Sequence, residues 1–223
     1  MSGSRSAPRA ALVDIDGTLV DSNYQHALAW FRAMRRYGVT CEVRVLHHLV
    51  GMGGDQLVTA AAGEEVERRH GDGLREAEAA AFREMVDEVT VLPGARLLLE
   101  TLAERARSVV LSSSAKPEEA ERYIDLLDVR DLVDGWTTSE DVDATKPSPD
   151  LIRAGLERAG DGPALMVGDS IWDCRAAAAA GVPTVTVLTG GYCRAELLDA
   201  GAVAVFDTPE EAAGGIVERD LLA

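Results

Sequence analysis

The feature that most constrains the fold is a short apolar run near the start of the chain that ends in two carboxylates. Residues 10–13 read Ala-Ala-Leu-Val, and Asp14, Asp16 and Gly17 follow closely. We interpret the run as a buried strand that delivers acids to a site. Because side chains alternate along a strand, Asp14 and Asp16 project to the same side, and Gly17 allows a sharp turn directly afterwards. Two such carboxylates repel each other, so they indicate a metal or acid–base chemistry, unless the strand simply runs into an Asp-rich turn.

After residue 93 the chain alternates between segments typical of helices and segments typical of strands. Helices are predicted over 95–106, 118–127 and 150–159, and strands over 108–113, 133–138 and 164–168. Further strand and helix units follow to the end of the chain. Strands that alternate with helices predict a parallel, doubly wound (Rossmann-like) sheet of the α/β class. In such a sheet, ligands bind beyond the carboxyl ends of the strands.

The segment over 24–89 differs because it is predicted to be helical throughout. One helix is predicted over 24–37, after a helix-start signal at 21–23. Helices continue beyond it, and glycine clusters at 51–54 and 71–73 are predicted to interrupt them. We therefore expect an all-helical insertion in the α/β unit.

Composition excludes several classes of protein. The 223 residues are 47% apolar, which is enough for a substantial core, and the formal net charge is −16. A chain this acidic is repelled by nucleic acid and by anionic membrane surfaces, so neither is an expected partner. The three cysteines are widely spaced and form no Cys-x-x-Cys pair, which argues against a disulfide framework or a zinc site.

Two further features bear on where the protein works. The first nine residues lack the apolar core of a signal peptide and are expected to form a loose tail. No apolar run approaches the length of a membrane span. Because the three cysteines are also expected to be reduced, these features predict a cytoplasmic protein.

Two polar motifs near predicted strand ends suit an anion. Ser113 ends the strand over 108–113 and Ser114 follows it. Hydroxyls and free amides at such a place can bind a phosphate, although such serines often only cap a helix. Lys146 is one of only two lysines, and prolines hold it on a stiff approach between a strand and a helix. Most lysines are solvated surface charges, but this placement favours a role in the site.

A second pair of acids follows the strand over 164–168. If Ser170 caps the next helix, Asp169 lies at the strand tip and Asp173 in the first turn. Both acids can then face one ion. The alternative is that Ser170 only caps the helix and that Asp173 only stabilises its first turn.

Together with the first two acids and the lysine, this pair gives the site an excess of three negative charges, so it needs a divalent cation before it can accept a phosphate. Oxygen ligands favour magnesium, and because all four histidines fall in the insertion, none is expected to compete for a softer metal.

Taken together, these residues resemble the motifs of the haloacid dehalogenase-like hydrolases, specifically the phosphatase branch with a helical cap. Residues 14–18 resemble the first motif of that family and Ser113 the second. Lys146 resembles the third motif and residues 168–173 the fourth. Each motif is modest alone, but four in order on the expected elements are specific, and the resemblance covers essentially the whole chain.

The resemblance implies a domain division and a reaction. The core would comprise residues 1–19 and 91–223, and residues 20–90 would form a helical C1-type cap domain over the site. The reaction would be the magnesium-dependent hydrolysis of a small phosphorylated metabolite, by an enzyme that we expect to be a monomer or a weak dimer. Asp14 would attack phosphorus and form an aspartyl phosphate.

The resemblance also implies the metal ligands. Magnesium would bind the second oxygen of Asp14, the backbone carbonyl of Asp16 and the carboxylate of Asp169. Asp173 would order the water shell of the metal.

The remaining roles follow from the same resemblance. Lys146, the Ser113 hydroxyl and the Ser114 amide would hold the phosphoryl oxygens and stabilise the transition state. Asp16 would first protonate the leaving alcohol and then activate the attacking water, so its pKa is expected to be raised when the cap closes.

A sugar phosphomutase similar to β-phosphoglucomutase is the main alternative, because His26 lies where the cap histidine of such an enzyme could. Residues 20–90 contain no lysine, which favours hydrolysis and argues against a phosphonate hydrolase. Asp16 argues against a dehalogenase, which has no alcohol to protonate. A phospho-accepting receiver and a non-catalytic binding protein are more distant alternatives, because a receiver has no helical insertion and because every group needed for catalysis is present.

Overall fold

Strands and helices alternate along the part of the chain that the computed structural model describes, residues 9–160 and 162–223. Apart from Arg9, the predicted tail lies outside these residues. The strands are β1 (Ala10–Val13), β2 (Val20–Asp21), β3 (Thr90–Val91), β4 (Val109–Ser112), β5 (Gly135–Thr137), β6 (Ala164–Gly168), β7 (Thr184–Val187) and β8 (Ala202–Phe206). The helices are α1 (Asn23–Arg36), α2 (Val43–Leu49), α3 (Gly54–Ala62), α4 (Glu64–Arg83), α5 (Ala95–Arg105), α6 (Pro117–Leu127), α7 (Asp150–Arg158), α8 (Ile171–Ala179), α9 (Arg194–Asp199) and α10 (Pro209–Glu218). None of these helices combines the length and the apolar character needed to cross a membrane.

Six of the strands form one parallel sheet in the order β5-β4-β1-β6-β7-β8. In the middle of the sheet, Val13 of β1 pairs with Leu111 of β4 on one side and with Val167 of β6 on the other. The polar residues that follow these three strands therefore meet at one edge of the sheet. The prediction of a doubly wound α/β sheet is confirmed.

The strand β1 is apolar throughout because helices cover both faces of the sheet. Ala11 and Val13 pack in one cluster with side chains of α5, α6 and α10. Leu12 points to the opposite face and packs with side chains of α7 and α8. Successive residues of β1 thus enter two different cores, and each of them is buried.

The helices α1 to α4 form the insertion, and its two connections to the core lie side by side. The strands β2 and β3 pair in antiparallel orientation, with Val20 opposite Val91. The insertion has a hydrophobic core of its own, which includes Trp30, Leu57 and Leu74. The predicted helical insertion is therefore present; its action as a cap domain stays a prediction.

One of the two predicted helix breaks is wrong. The glycines at 51–54 do separate α2 from α3, but α4 continues through the glycines at 71–73. Tyr37, just past the end of α1, packs against Gly73: a Cβ on Gly73 would lie 2.2 Å from the Tyr37 hydroxyl. Gly73 is therefore suited to close packing of two helices and not to a turn.

The insertion contacts the core on two sides of the sheet edge. At the start of α3, the carboxylate of Asp55 accepts hydrogen bonds from the backbone N–H of Thr145, at 3.1 Å, and from the Thr145 hydroxyl. On the other side, the backbone carbonyl of His48 accepts hydrogen bonds from Trp172 Nε1, at 3.0 Å, and from the Tyr192 hydroxyl, at 2.5 Å. These contacts hold the insertion over the ends of the strands.

Replacement of Leu12 tests whether β1 lies at the centre of the core. We expect Leu12→Ala to lower the free energy of unfolding by about 2–5 kcal/mol, because the lost side chain leaves a cavity. The measurement is urea denaturation followed by circular dichroism. Leu198→Ala on α9 is the control, because Leu198 is 49% exposed and little change is expected. Equal effects of the two substitutions would contradict the central position of β1.

Candidate active site

The polar residues predicted at strand ends meet at the carboxyl edge of the sheet. Asp14 follows β1, Ser113 follows β4 and Asp169 follows β6, and these strands are neighbours. The backbone N–H of Asp14 donates to the carbonyl of Val167 at 2.9 Å, so the sheet pairing extends to the first acid. All three polar side chains are buried. The parallel register thus gathers groups that are far apart in the sequence.

The ammonium of Lys146 lies between two of the carboxylates. Its Nζ is 2.5 Å from Asp14 Oδ1 and 2.7 Å from Asp173 Oδ1, and all three side chains are buried. Burial acts to lower the pKa of Lys146, but the charges of Asp14 and Asp173 outweigh burial and raise the pKa. Lys146 is therefore a charged member of the site, where the sequence predicted it.

Asp173 also fixes the start of α8. Its Oδ2 accepts hydrogen bonds from the backbone N–H of Ser170, at 3.1 Å, and from the Ser170 hydroxyl, at 2.6 Å. The Ser170 hydroxyl in turn accepts a hydrogen bond from the backbone N–H of Asp173 at 3.2 Å. The predicted capping of α8 by Ser170 is present, in the form of a capping box. One carboxylate therefore stabilises the helix start and faces Lys146.

Two donors that the sequence analysis missed hold the carboxylate of Asp169. Thr18 Oγ1 donates to Asp169 Oδ1 at 3.0 Å, and Asn23 Nδ2 donates to Asp169 Oδ2 at 2.9 Å. Burial, and next the charge of Asp173, raise the pKa of Asp169 to about 7 despite these hydrogen bonds. Thr18 lies within residues 14–18, which resemble the first motif of the family, so the sequence could have indicated that Thr18 belongs to the site.

Asp14, Asp169 and Asp173 can together hold a cation. One carboxylate oxygen from each residue lies within 4.8 Å of the other two, and all three residues are buried. Burial raises the pKa of Asp14 well above its usual value, although the charge of Lys146 opposes the rise. Three buried carboxylates with one ammonium leave negative charge uncompensated, and carboxylate oxygens are ligands of hard divalent cations. The donor set therefore fits such a cation.

The carboxylate of Asp16 faces a different set of residues. The Ser22 hydroxyl donates to Asp16 Oδ1 at 2.5 Å, and His26 Nε2 lies 3.6 Å from the same oxygen. Burial acts to raise the pKa of Asp16, but the hydrogen bond and charge of His26 and the hydrogen bond of Ser22 outweigh it, and the pKa is lowered. The raised pKa expected for Asp16 is therefore not found in this structure. Ser22 is part of the predicted helix-start signal, but its hydroxyl binds Asp16 and does not cap α1.

His26 lies in the insertion but contacts Asp16 and Glu119 of the core, so its place in the insertion does not exclude it as a ligand beside the site. Its Nδ1 lies 3.0 Å from Glu78 Oε1, and its Nε2 lies 3.0 Å from Glu119 Oε1. The helix α1 starts close to the sheet edge and brings His26 against Asp16 of the core. The sequence places His26 in the insertion but does not reveal this contact across the interface.

Ser113 and Ser114 lie at the predicted turn after β4. The Ser113 hydroxyl is buried and accepts a hydrogen bond from the backbone N–H of Ala115 at 3.0 Å. Ser114 is half-buried and lines a cavity. Neither serine caps α6, which starts only at Pro117. Their role in binding phosphate stays a prediction.

A cavity of about 270 Å³ lies between the sheet edge and the helical insertion. Asp14, Asp16 and Ser114 line it from the core, and Trp30 and Arg75 line it from the insertion. This volume suits a small metabolite that contacts both parts of the chain.

A parallel α/β sheet with buried aspartates and a lysine at its carboxyl edge, under a helical insertion, is the arrangement of a hydrolase of the class that the motifs resemble. A sequence comparison identifies the family. The model of the haloacid dehalogenase-like hydrolases matches residues 8–181, and the chain belongs to this family.

Individual relatives support the phosphatase class. Phosphoglycolate phosphatase of Rhodospirillum rubrum is 34% identical over 216 residues, which cover 90% of this chain and 87% of that protein. The crystal structure of a hydrolase from Pseudomonas syringae has a TM-score of 0.87 and 30% identity, over 94% of this chain and 98% of that chain. A structure from Bacteroides vulgatus, provisionally named a beta-phosphoglucomutase, has a TM-score of 0.84 but 22% identity, over 97% and 90% of the two chains, and shows the fold alone. The predicted enzyme class, a phosphatase of this family, is confirmed.

Gly190 offers a test of the position of Asp169. A Cβ on Gly190 would lie 1.8 Å from Asp169 Oδ2, so Gly190→Ala must displace the carboxylate. We expect phosphatase activity to fall on the order of 10²-fold, because displacement of site groups by about 1 Å has effects of this size. The measurement is turnover of a chromogenic phosphate ester by the folded variant.

Gly214→Ala is the matched control, because a Cβ at that position of α10 meets open space. It should leave turnover unchanged. Full activity of a folded Gly190→Ala variant would show that turnover does not depend on the position of the Asp169 carboxylate.

Proposed function

We propose that the protein is a magnesium-dependent phosphatase that hydrolyses a small phosphorylated metabolite through an aspartyl phosphate on Asp14. The observation that carries the proposal is the difference between two acids only two residues apart. Asp14 faces Lys146, whereas Asp16 faces Ser22 and His26. Different environments give two carboxylates different pKa values, and this allows them to take different roles in one reaction.

Asp14 is proposed as the nucleophile. One of its oxygens contacts the ammonium of Lys146, whose charge opposes the rise that burial causes in the pKa of Asp14. This charge favours the carboxylate form that nucleophilic attack requires. Asp14, the Asp16 backbone carbonyl and Asp169 are proposed to hold magnesium, with Asp173 ordering its water shell. Bound magnesium would supply positive charge for the carboxylates and for the phosphoryl oxygens.

Lys146, the Ser113 hydroxyl and the Ser114 amide are proposed to bind the phosphoryl group. The contacts of Lys146 with Asp14 and Asp173 fix its ammonium before any substrate arrives. A donor that is already in place costs little reorganisation when charge develops in the transition state. The buried Ser113 and the half-buried Ser114 lie at the end of the neighbouring strand β4.

Asp16 is proposed to protonate the leaving alcohol and then to activate water. Its lowered pKa keeps Asp16 in the carboxylate form, which the second step requires before Asp16 can accept a proton. The first step requires the protonated form. A phosphate ester bound beside Asp16 brings negative charge, which raises the pKa of a neighbouring carboxyl group. The substrate itself would then shift Asp16 toward the form that can act as an acid.

The core is proposed to comprise residues 1–19 and 91–223, and residues 20–90 to act as its cap. Asp55 of this segment binds Thr145, the residue directly before Lys146. Closure of the cap would therefore act directly on the segment that carries the lysine. The same closure would exclude water from the phosphoryl group until transfer is complete.

Hydrolysis is favoured over the mutase reaction, although His26 does lie beside Asp16. Residues 20–90 contain no lysine that would retain a phosphorylated intermediate while it turns over. Arg75 of the insertion lines the cavity, but its guanidinium already pairs with Glu67 and Asp72 and so does not replace the missing lysine. The family relative named for phosphoglycolate makes that compound the first substrate to test, beside sugar phosphates.

Substitution of the two acids tests the proposed roles. With an activated aryl phosphate and magnesium, Asp16→Asn should still phosphorylate Asp14, because the leaving group needs little protonation. Hydrolysis should then stall, so steady turnover should fall about 10²–10⁴-fold. Intact-protein mass spectrometry after an acid quench should detect one added phosphoryl group.

Two further variants complete this experiment. Asp14→Asn should show no adduct, and Asp131→Asn, on the exposed surface, should turn over like the unchanged protein. Normal turnover by Asp16→Asn, or an adduct on Asp14→Asn, would show that other residues carry the chemistry.

Product analysis separates the two candidate activities. Incubated with a hexose 1-phosphate, the enzyme is expected to release free phosphate, because residues 20–90 contain no lysine that would retain an intermediate. Phosphorus NMR measures both products. Conversion to hexose 6-phosphate with little free phosphate would place the protein among the mutases.

A further inference from the structure

A second cluster of potential metal ligands lies beside the proposed active site and is centred on His26. Asp16 comes from the core after β1, Glu119 from the first turn of α6, and Glu78 from α4 of the insertion. His26 contacts all three carboxylates. The cluster therefore spans the interface between insertion and core.

The two nitrogens of the imidazole ring face different partners. Nδ1 lies 3.0 Å from Glu78 Oε1, while Nε2 lies 3.0 Å from Glu119 Oε1 and 3.6 Å from Asp16 Oδ1. The ring of Phe82 stacks on His26 with 3.9 Å between the ring centroids and so limits rotation of the imidazole. In zinc sites a histidine usually donates one ring N–H to a carboxylate and binds the metal through its other nitrogen. Glu78 is placed to accept from Nδ1, which would leave Nε2 for a metal.

The spacing of the ligand atoms suits a small divalent ion. Nitrogen or oxygen atoms at about 2.0–2.2 Å from a tetrahedral zinc ion lie about 3.3–3.6 Å from each other. Here His26 Nε2 lies 3.6 Å from Asp16 and 3.0 Å from Glu119, and the three ligand atoms lie within 4.8 Å of one another. The two distances from His26 therefore lie within about 0.3 Å of the tetrahedral spacing. These side chains are between 14% and 23% exposed, so an ion can still reach them.

We propose that Asp16, His26 and Glu119 bind a transition-metal ion of the zinc type, and that this binding inhibits the phosphatase. Glu78 would hold the ring through the other nitrogen. The imidazole distinguishes this site from the all-carboxylate group of Asp14 and its neighbours, because nitrogen ligands favour zinc over magnesium.

Inhibition follows from the capture of Asp16, and this part rests on the proposed function. A carboxylate bound to zinc is unable to protonate an alcohol or to accept a proton from water. Zinc would also tie Glu119 of the core to His26 of the insertion and so oppose opening of the proposed cap. Metal binding itself depends only on the three ligands and is tested without substrate.

Cobalt(II) is the probe for binding, because its visible d–d bands are intense in a tetrahedral site and weak in an octahedral one. Loss of these bands in a histidine variant reports ligation by the imidazole. Cobalt is titrated into protein saturated with magnesium, and zinc is then added to displace it. We expect one equivalent of tetrahedral cobalt in the unchanged protein and none in His26→Gln or Glu119→Gln. Glu78→Gln, which touches only the other ring nitrogen, should weaken binding about 10- to 100-fold. Absence of a sulfur-to-cobalt charge-transfer band excludes the cysteines.

His48→Gln is the matched control, because His48 also pairs with a glutamate, Glu196, but at an exposed position. It should keep the full cobalt signal. The same spectrum in His26→Gln, or loss of the signal in His48→Gln, would overturn the site. No tetrahedral cobalt in the unchanged protein would also overturn it.

Inhibition is measured separately, with zinc added to magnesium-saturated enzyme and each variant compared with its own zinc-free rate. Zinc should inhibit the unchanged protein and His48→Gln, and at least tenfold more zinc should be needed for Glu119→Gln. Binding of cobalt without inhibition by zinc would overturn the inhibitory role of the metal but would still support the metal site itself. A lack of all phosphatase activity would instead contradict the proposed function, because the cobalt titration needs no turnover.

Discussion

The contact of one buried ammonium with two buried carboxylates is the interaction on which the rest of the site depends. Lys146 lies between Asp14 and Asp173 at the carboxyl edge of the sheet. Buried carboxylates are costly unless they are paired, and without this lysine the strand ends would hold three of them together. Hydrogen bonds from Thr18 and Asn23 stabilise the third, Asp169. Even so, burial and the neighbouring charge of Asp173 raise the pKa of Asp169 to about 7, so the buried carboxylate form is still costly. We infer that a cation completes the site.

The same sheet edge separates two acids that are only two residues apart. Asp14 lies directly after β1 and points at Lys146, whereas Asp16 lies in the turn and points at the first residues of the insertion. The core therefore supplies the environment of the proposed nucleophile. The insertion supplies much of the environment of the proposed acid and base through Ser22 and His26. A change in the position of the insertion would act on the second acid more than on the first.

The sequence predicted the central strands well, because their residues are apolar on both faces and polar residues end them. The strand over 164–168 is observed with the predicted bounds, and the strand-end acids lie where the alternation of strands and helices puts them. The errors involve contacts between distant segments. Gly73 is predicted as a break because the sequence does not show that Tyr37 packs against it. The contact of His26 with Glu119 is not predicted, because the two residues lie 93 positions apart in the chain. Asn23 is an ordinary helix-start residue in the sequence, and only the structure shows that it binds Asp169.

The most direct test of this account is calorimetric titration of magnesium into the chelator-treated protein. One ion should bind per chain, Asp169→Asn should abolish or strongly weaken binding, and Asp131→Asn, an exposed acid, should bind like the unchanged protein. Loss confined to Asp169→Asn would place the cation among the strand-end carboxylates. Equal binding by all three proteins, or no binding by the unchanged protein, would contradict the claim that a cation completes the site.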